Sequence, residues 1–106
     1  MVADHVPPAL HCEVEAAVSG DQVTLRGLIT AAHDGGGNYT LAVDKAGAAG
    51  SSRIKQAGAF AAVADQRVAV GNVVLDYKSG NRYAAKLDVS FDGAIFNCDL
   101  DPEKVK

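Results

Sequence analysis

The sequence predicts an all-β domain, an immunoglobulin-like antiparallel β-sandwich of about seven strands. Apolar and polar residues alternate with a period of two along most of the chain, which is typical of strands with one buried face. Turn-forming residues recur about every 8 to 12 positions, the spacing expected of a sandwich. The chain has three Tyr, three Phe and no Trp, so Val, Ala, Leu and Ile must build the core, and this favours sheet over helix. A small barrel is the alternative architecture.

The first half of the chain contains three predicted strands. The first alternates over residues 12–18, and a turn at residues 19–21 leads into the second, which alternates over residues 23–29. Residues 34–38, Asp-Gly-Gly-Gly-Asn, interrupt the pattern, because glycine and asparagine tolerate backbone angles that strands do not adopt. The third strand is predicted over residues 39–43.

The middle of the chain is less regular. A short strand carries Ile54 on one face and basic residues on the other, and we expect it at a sheet edge. Residues 57–65 are Ala-rich but short and contain Gly58, so we interpret them as a loop or irregular crossover. The next strand covers residues 68–77, with a bulge predicted at residues 71–72 where the alternation shifts by one.

The last two strands form the clearest hairpin. Residues 79–81, Ser-Gly-Asn, are a turn signal, and residues 83–91 then alternate with Arg82 and Lys86 on the outer face. Asp-Gly at residues 92–93 predicts a tight turn, after which residues 94–98 return alongside. We therefore place the sandwich at residues 10–100, with flexible segments at residues 1–9 and 101–106.

Two cysteines, Cys12 and Cys98, stand near opposite ends of the domain. Their separation excludes a Cys-x-x-Cys redox motif, and two thiolates are too few for a structural zinc site. The simplest interpretation is one disulfide that ties the first strand to the last and places the protein in an oxidising compartment. The alternative is a pair of reduced, buried cysteines that pack as small apolar residues.

Residues with catalytic or ligand-binding chemistry are scattered. His5, His11 and His33 do not have metal-ligand spacing, and no serine stands in a nucleophile context. The glycines at residues 35–37 lack the helix and lysine of a phosphate-binding loop, and we interpret them as a flexible loop tip. No apolar stretch approaches the roughly 18 residues of a membrane helix, and residues 1–10 lack the features of a signal peptide. We predict no enzyme activity, cofactor, metal site or membrane insertion, and a monomer. If the protein is exported, its signal peptide has been removed.

Charge is distributed unevenly along the chain. Residues 45–86 hold seven Lys or Arg and two acids, whereas the remainder holds three Lys or Arg and eleven acids, for a net charge of −3. A locally basic segment in an acidic protein indicates attraction to an acidic partner. Nucleic acid is a weaker candidate because the whole chain is acidic and has few exposed aromatic residues. The basic residues are Lys45, Arg53, Lys55, Arg67, Lys78, Arg82 and Lys86.

Strand periodicity places some of these cations together. Arg53 and Lys55 share one side of a strand at i and i+2, and Arg82 and Lys86 share one side at i and i+4. The structural alternative is that they only guard sheet edges against unwanted strand pairing. That alternative explains less well why acidic residues avoid the same segment.

Two segments and the cysteines carry a family resemblance. Residues 39–45 read Tyr-Thr-Leu-Ala-Val-Asp-Lys, residues 50–60 read Gly-Ser-Ser-Arg-Ile-Lys-Gln-Ala-Gly-Ala-Phe, and Cys12 and Cys98 bracket both. Over about residues 10–100 the chain resembles the CsgH proteins, of the CsgC-like periplasmic proteins of curli systems. The CsgC branch has a Cys-x-Cys pair that is absent here, so a redox role does not carry over, whereas a structural disulfide fits.

The resemblance implies an immunoglobulin-like sandwich in the periplasm that prevents the curli major subunit from forming amyloid too early. Its weak, reversible contacts would be electrostatic. We predict that Arg53, Lys55, Arg82 and Lys86 form the main contact surface, and that Lys45, Arg67 and Lys78 extend it. Two other classes stay open: a thiol-disulfide exchange protein of the curli system, and a structural or adhesive binding module.

Overall fold

A computed structural model describes residues 9–48, 50–78 and 80–100. The predicted flexible segments, residues 1–9 and 101–106, lie outside the described residues except for Ala9. The element order confirms the seven predicted strands, which are β1 (Leu10–Ser19), β2 (Gln22–Ala31), β3 (Gly35–Gly47), β4 (Gly50–Ala62), β5 (Arg67–Asp76), β6 (Arg82–Phe91) and β7 (Ala94–Asp99).

The strands form two antiparallel sheets, which confirms the sandwich. One sheet has the order β1-β2-β5, and the other has the order β4-β3-β6-β7. In a constant-type immunoglobulin domain the fourth strand pairs with the fifth, whereas here β4 pairs with β3 over its whole length. The four-stranded sheet is therefore the broader of the two, with β4 at one edge, as the sequence predicts.

The core lies between the inner faces of the two sheets. Its fully buried side chains include Leu25 and Ile29 from the three-stranded sheet and Leu41, Leu87 and Phe91 from the four-stranded sheet. The alternate residues on β6 face outward and are exposed or half-buried, as the period-two pattern predicts. Strand parity thus decides which side chains of β3, β4 and β6 reach solvent.

β3 and β4 are longer than the sequence indicates. The glycines of residues 35–37 are part of β3, and residues 57–62 continue β4, so the interpretation of both segments as loops was wrong. Cross-strand packing explains the difference. A Cβ on Gly37 would lie 2.8 Å from the ring of Phe60, and one on Gly58 would lie 3.2 Å from the ring of Tyr39, so aromatic rings occupy the space that side chains would need.

A disulfide closes one side of the sandwich. Cys12 on β1 and Cys98 on β7 are bonded, with their Cα atoms 6.0 Å apart and a sequence separation of 86 residues. This confirms the disulfide and excludes the alternative of two reduced cysteines. Because β1 and β7 belong to different sheets, the bond joins the two layers at their edges.

A side-chain amide joins the opposite edges. Gln56 on β4 donates from Nε2 to the Asn72 carbonyl oxygen at 2.9 Å and accepts from the Asn72 N–H at 2.7 Å. Asn72 lies in the predicted bulge: the pairing of β2 with β5 shifts between Leu25 and Gly27, where β5 contains one extra residue. The bulge is confirmed, and Gln56 binds the backbone groups there.

Candidate functional site

The outer face of the four-stranded sheet carries four of the predicted cations. Arg53 and Lys55 project from β4, and Arg82 and Lys86 project from β6; all four are exposed. β3 lies between these two strands and is hydrogen-bonded to both. We call this surface, defined by those four residues, the basic face. Folding therefore brings together two pairs that lie 27 or more positions apart in the sequence.

Strand register aligns two of the cations directly. Lys55 and Lys86 are both paired with Ala42, one from each side of β3. Since neighbouring strands lie about 4.8 Å apart, the two lysine backbones are about 10 Å apart with a small side chain between them. Neither lysine forms an ion pair with another described residue.

An aspartate lies in the middle of the basic face. Asp44 on β3 is paired with Arg53 and accepts from its Nε at 2.7 Å and from its Nη2 at 3.5 Å. The hydrogen bond to Asp44, and then the charge of that carboxylate, raise the pKa of Arg53 against a small opposing effect of desolvation. Arg53 is therefore held in an ion pair, and its charge is partly neutralised, although its side chain is 75% exposed.

Two further acids border the face on the β7 side. Asp99 is paired with Lys86, and Asp88 accepts a hydrogen bond from Asn97 Nδ2 at 2.5 Å. The sequence separates acids from bases, but the sheet places Asp44, Asp88 and Asp99 beside the cations. Positive and negative charges therefore alternate across the face, and Lys55, Lys86 and Arg82 are its cations that form no ion pair with a described residue.

A surface groove of about 540 Å³ lies over β3, between the side chains of β4 and β6, and extends past Lys86 to Asp99 and Leu100. Its floor consists of Thr40, Ala42 and Asp44, and Lys55 and Lys86 stand at its sides. We call it the central groove. Asp44 and Ala84 also line a neighbouring cavity of about 510 Å³ that includes Arg82, so the concave surface continues towards the start of β6.

Buried hydrogen bonds hold the turn before β6. Tyr83 is 7% exposed, donates from Oη to the Asp76 carbonyl oxygen at 2.7 Å and accepts from the Lys78 N–H at 3.3 Å. Its ring stacks on Tyr77 with centroids 5.9 Å apart. These contacts fix where Arg82 enters the sheet.

Lys45 and Lys78 lie beside the basic face rather than on it. Lys45 has the inward parity of β3 and is half-buried at the end of the sandwich. It lines a cavity of about 490 Å³ together with Lys78 and Asp76. Asn81 lines both this cavity and the one that includes Arg82. The two lysines thus border the face at one end.

Arg67 lies on the other sheet. It begins β5, is paired with Thr30, and lines a cavity of about 290 Å³ with Glu13 and Glu15. The prediction that Arg67 extends the contact surface of the other cations is therefore corrected. Its outward parity was readable from the sequence, but the sheet to which β5 belongs was not.

Two negative findings apply to the described part of the chain. Residues 9–48, 50–78 and 80–100 contain no group of three or more His, Cys, Asp or Glu that is arranged to hold a metal ion. Over the same ranges there is no helix with the length and apolar character needed to cross a membrane.

Asp44 is a residue of the candidate site that the sequence did not indicate. It stands one position before the basic segment, and its outward parity follows from the alternation of β3. Its partner was not evident because the pairing of β3 with β4 depends on register, which local sequence does not specify.

Comparisons with known proteins agree with this architecture. The family model described as CsgH protein matches residues 11–101. The solution structure of R. palustris CsgH has 72% sequence identity and a TM-score of 0.82, and the match covers 92% of this chain and 96% of that chain. A structure of the E. coli curli protein CsgC has 18% identity and a TM-score of 0.70, with 85% and 94% covered, and shows likeness of fold alone. No curated protein sequence matches. This chain belongs to the CsgH family.

Proposed function

We propose that the protein is a periplasmic, chaperone-like inhibitor of amyloid formation by the curli major subunit. The name of the E. coli curli protein CsgC, which has the same fold, supports a place in a curli system. The observation that carries the proposal is the basic face, where four cations project from two strands of one exposed sheet. A protein with no catalytic role and no cofactor can act through such a surface alone.

The physical requirement for such an inhibitor is modest. An amyloid precursor exposes unpaired strand edges, and aggregation accelerates once a nucleus has formed. Electrostatic attraction increases the rate of encounter without demanding tight binding. Weak and rapidly reversible contacts with the basic face would keep early species from packing into a nucleus, and a monomer of this protein suffices for them.

The cysteines support this proposal over thiol-disulfide exchange. Both are used in the Cys12–Cys98 bond, and Cys12 is 8% exposed. A disulfide exchanger needs an accessible, low-pKa thiolate for attack. A bond joining the edges of two sheets suits a structural role in the oxidising periplasm.

The proposal is tested by the aggregation time course of purified curli major subunit, followed with an amyloid dye. The protein is added well below equimolar amounts at low and high salt. We expect a long delay that shortens as salt rises, because exposed charges are screened within about 8 to 10 Å at ordinary ionic strength. Reversal of Arg53, Lys55, Arg82 and Lys86 to glutamate should abolish the delay. Equal delay with this folded variant would contradict the electrostatic proposal, and no delay with the wild-type protein would contradict the function itself.

A further inference from the structure

We infer that the central groove binds an extended peptide segment of the partner, with a carboxylate side chain placed over Ala42 between Lys55 and Lys86. The inference rests on the proposed function and makes its contact surface specific. The basic face would then recognise the shape and the side-chain pattern of a strand, in addition to its charge.

The floor of the central groove has room for a strand. β3 presents Thr40, Ala42 and Asp44 outward, and β6 presents Ala84 beside Asp44, so no large side chain rises from the middle of the face. The longer side chains of β4 and β6 stand on either side. From Thr40 to Asp44 the groove follows β3 for about 14 Å, which matches about five residues of an extended peptide.

The groove favours an acidic side chain at Ala42, which is paired with Lys55 on one side and Lys86 on the other. Lys55 and Lys86 flank this alanine at equal register, and neither forms an ion pair with another described residue. Each ammonium group has three donors on a flexible stem. A single carboxylate over Ala42 can therefore accept from both lysines, in a position shielded from water on its lower side by the sheet.

The positions on either side of Ala42 along the groove favour hydrogen-bond donors instead of an acid. Asp44 lies two residues further along the groove, and Asp88, which is paired with Thr40, lies two residues in the other direction. Each of these carboxylates accepts from one protein partner, Arg53 or Asn97, and retains lone pairs for another donor. Two residues on either side of its carboxylate, the bound strand should therefore carry amide or hydroxyl donors.

The geometry thus specifies a pattern of donor, any residue, Asp or Glu, any residue, donor. Alternate residues of a strand face the same side, so the three selected side chains all point into the groove. A second acid at either flanking position would face an aspartate and be disfavoured.

The binding test uses a synthetic nine-residue peptide with glutamate at its centre, asparagine two residues away on each side and alanine elsewhere. It is titrated into isotope-labelled protein, and backbone amide shifts are followed by NMR. We expect shifts concentrated in residues 40–44 and 84–88, and a Kd at least about tenfold higher when the central glutamate is replaced by glutamine. Equal affinity of the two peptides, or shifts centred on Lys45 and Lys78, would overturn the inference.

A variant that fills the groove separates shape from charge. Ala42→Leu retains every charge but raises a large side chain from the floor, whereas Ala69→Leu makes the same change on the outer face of the three-stranded sheet. We expect Ala42→Leu to raise the Kd for the glutamate peptide at least about tenfold and Ala69→Leu to leave this Kd unchanged. In the aggregation assay, full inhibition by Ala42→Leu together with loss of inhibition on charge reversal would reject the groove and leave the proposed function standing.

Discussion

Replacing Cys12 and Cys98 with alanine should cost a large share of the stability of the domain. The bond closes a loop with a sequence separation of 86 residues. In the chain-entropy model such a cross-link destabilises the unfolded chain by about 4 to 5 kcal/mol at 25 °C. Domains of this size have a free energy of unfolding of roughly 5 to 15 kcal/mol, so the variant should lose between about a third and nearly all of it.

The measurements are thermal unfolding and urea unfolding of the oxidised protein, the reduced protein and the double-alanine variant. We expect the reduced protein and the variant to agree, with a Tm lower than that of the oxidised protein by roughly 20 to 30 °C. The denaturant slope should increase without the bond, because the unfolded chain becomes less compact. A loss of stability below about 1 kcal/mol would contradict this expectation, because the bond would then restrict the unfolded chain far less than the model requires.

Three other substitutions test named contacts. Gln56→Ala removes two hydrogen bonds to the Asn72 backbone and should lower the free energy of unfolding by about 1 to 2 kcal/mol in urea, whereas no loss would show that water replaces the amide. Tyr83→Phe removes the bond to the Asp76 carbonyl oxygen and should cost about 1 to 2 kcal/mol by thermal unfolding; an unchanged Tm would contradict a structural role for this hydroxyl. Asp44→Asn removes the negative charge at the centre of the basic face. We therefore expect a longer delay in aggregation of the curli major subunit, with a steeper dependence on salt. A shorter delay would contradict our view that this carboxylate lowers the positive charge of the face.

Alternation in the sequence was sufficient to predict most of the fold. On β6, residues 83–91 follow a strict period of two, and their burial agrees with it at every position. The bulge in β5 was also predictable, because Gly71 and Asn72 coincide with a shift of the pattern. These features depend on neighbours in the sequence, which is why local analysis finds them.

Features that depend on distant residues were not predictable. Residues 35–37 form a strand because they pair with residues 60–62 of β4, whereas their glycines alone indicate a loop. The candidate site has the same limitation. The parity of Lys55 and Lys86 was evident from each strand, but their alignment on Ala42 follows from the order β4-β3-β6, which only the assembled sheet establishes.

The central claim is that the location of the positive charge, rather than its total amount, determines inhibition. Two double variants separate the location of the charge from its amount: Lys55→Glu with Lys86→Glu on the basic face, and Arg26→Glu with Arg67→Glu on the three-stranded sheet. Both pairs consist of exposed cations, and both variants lower the net charge by the same amount. In the amyloid-dye time course of the curli major subunit, we expect the first variant to lose the delay and the second to retain most of it. Equal loss of the delay in the two folded variants would contradict this expectation, because net charge alone would then explain inhibition.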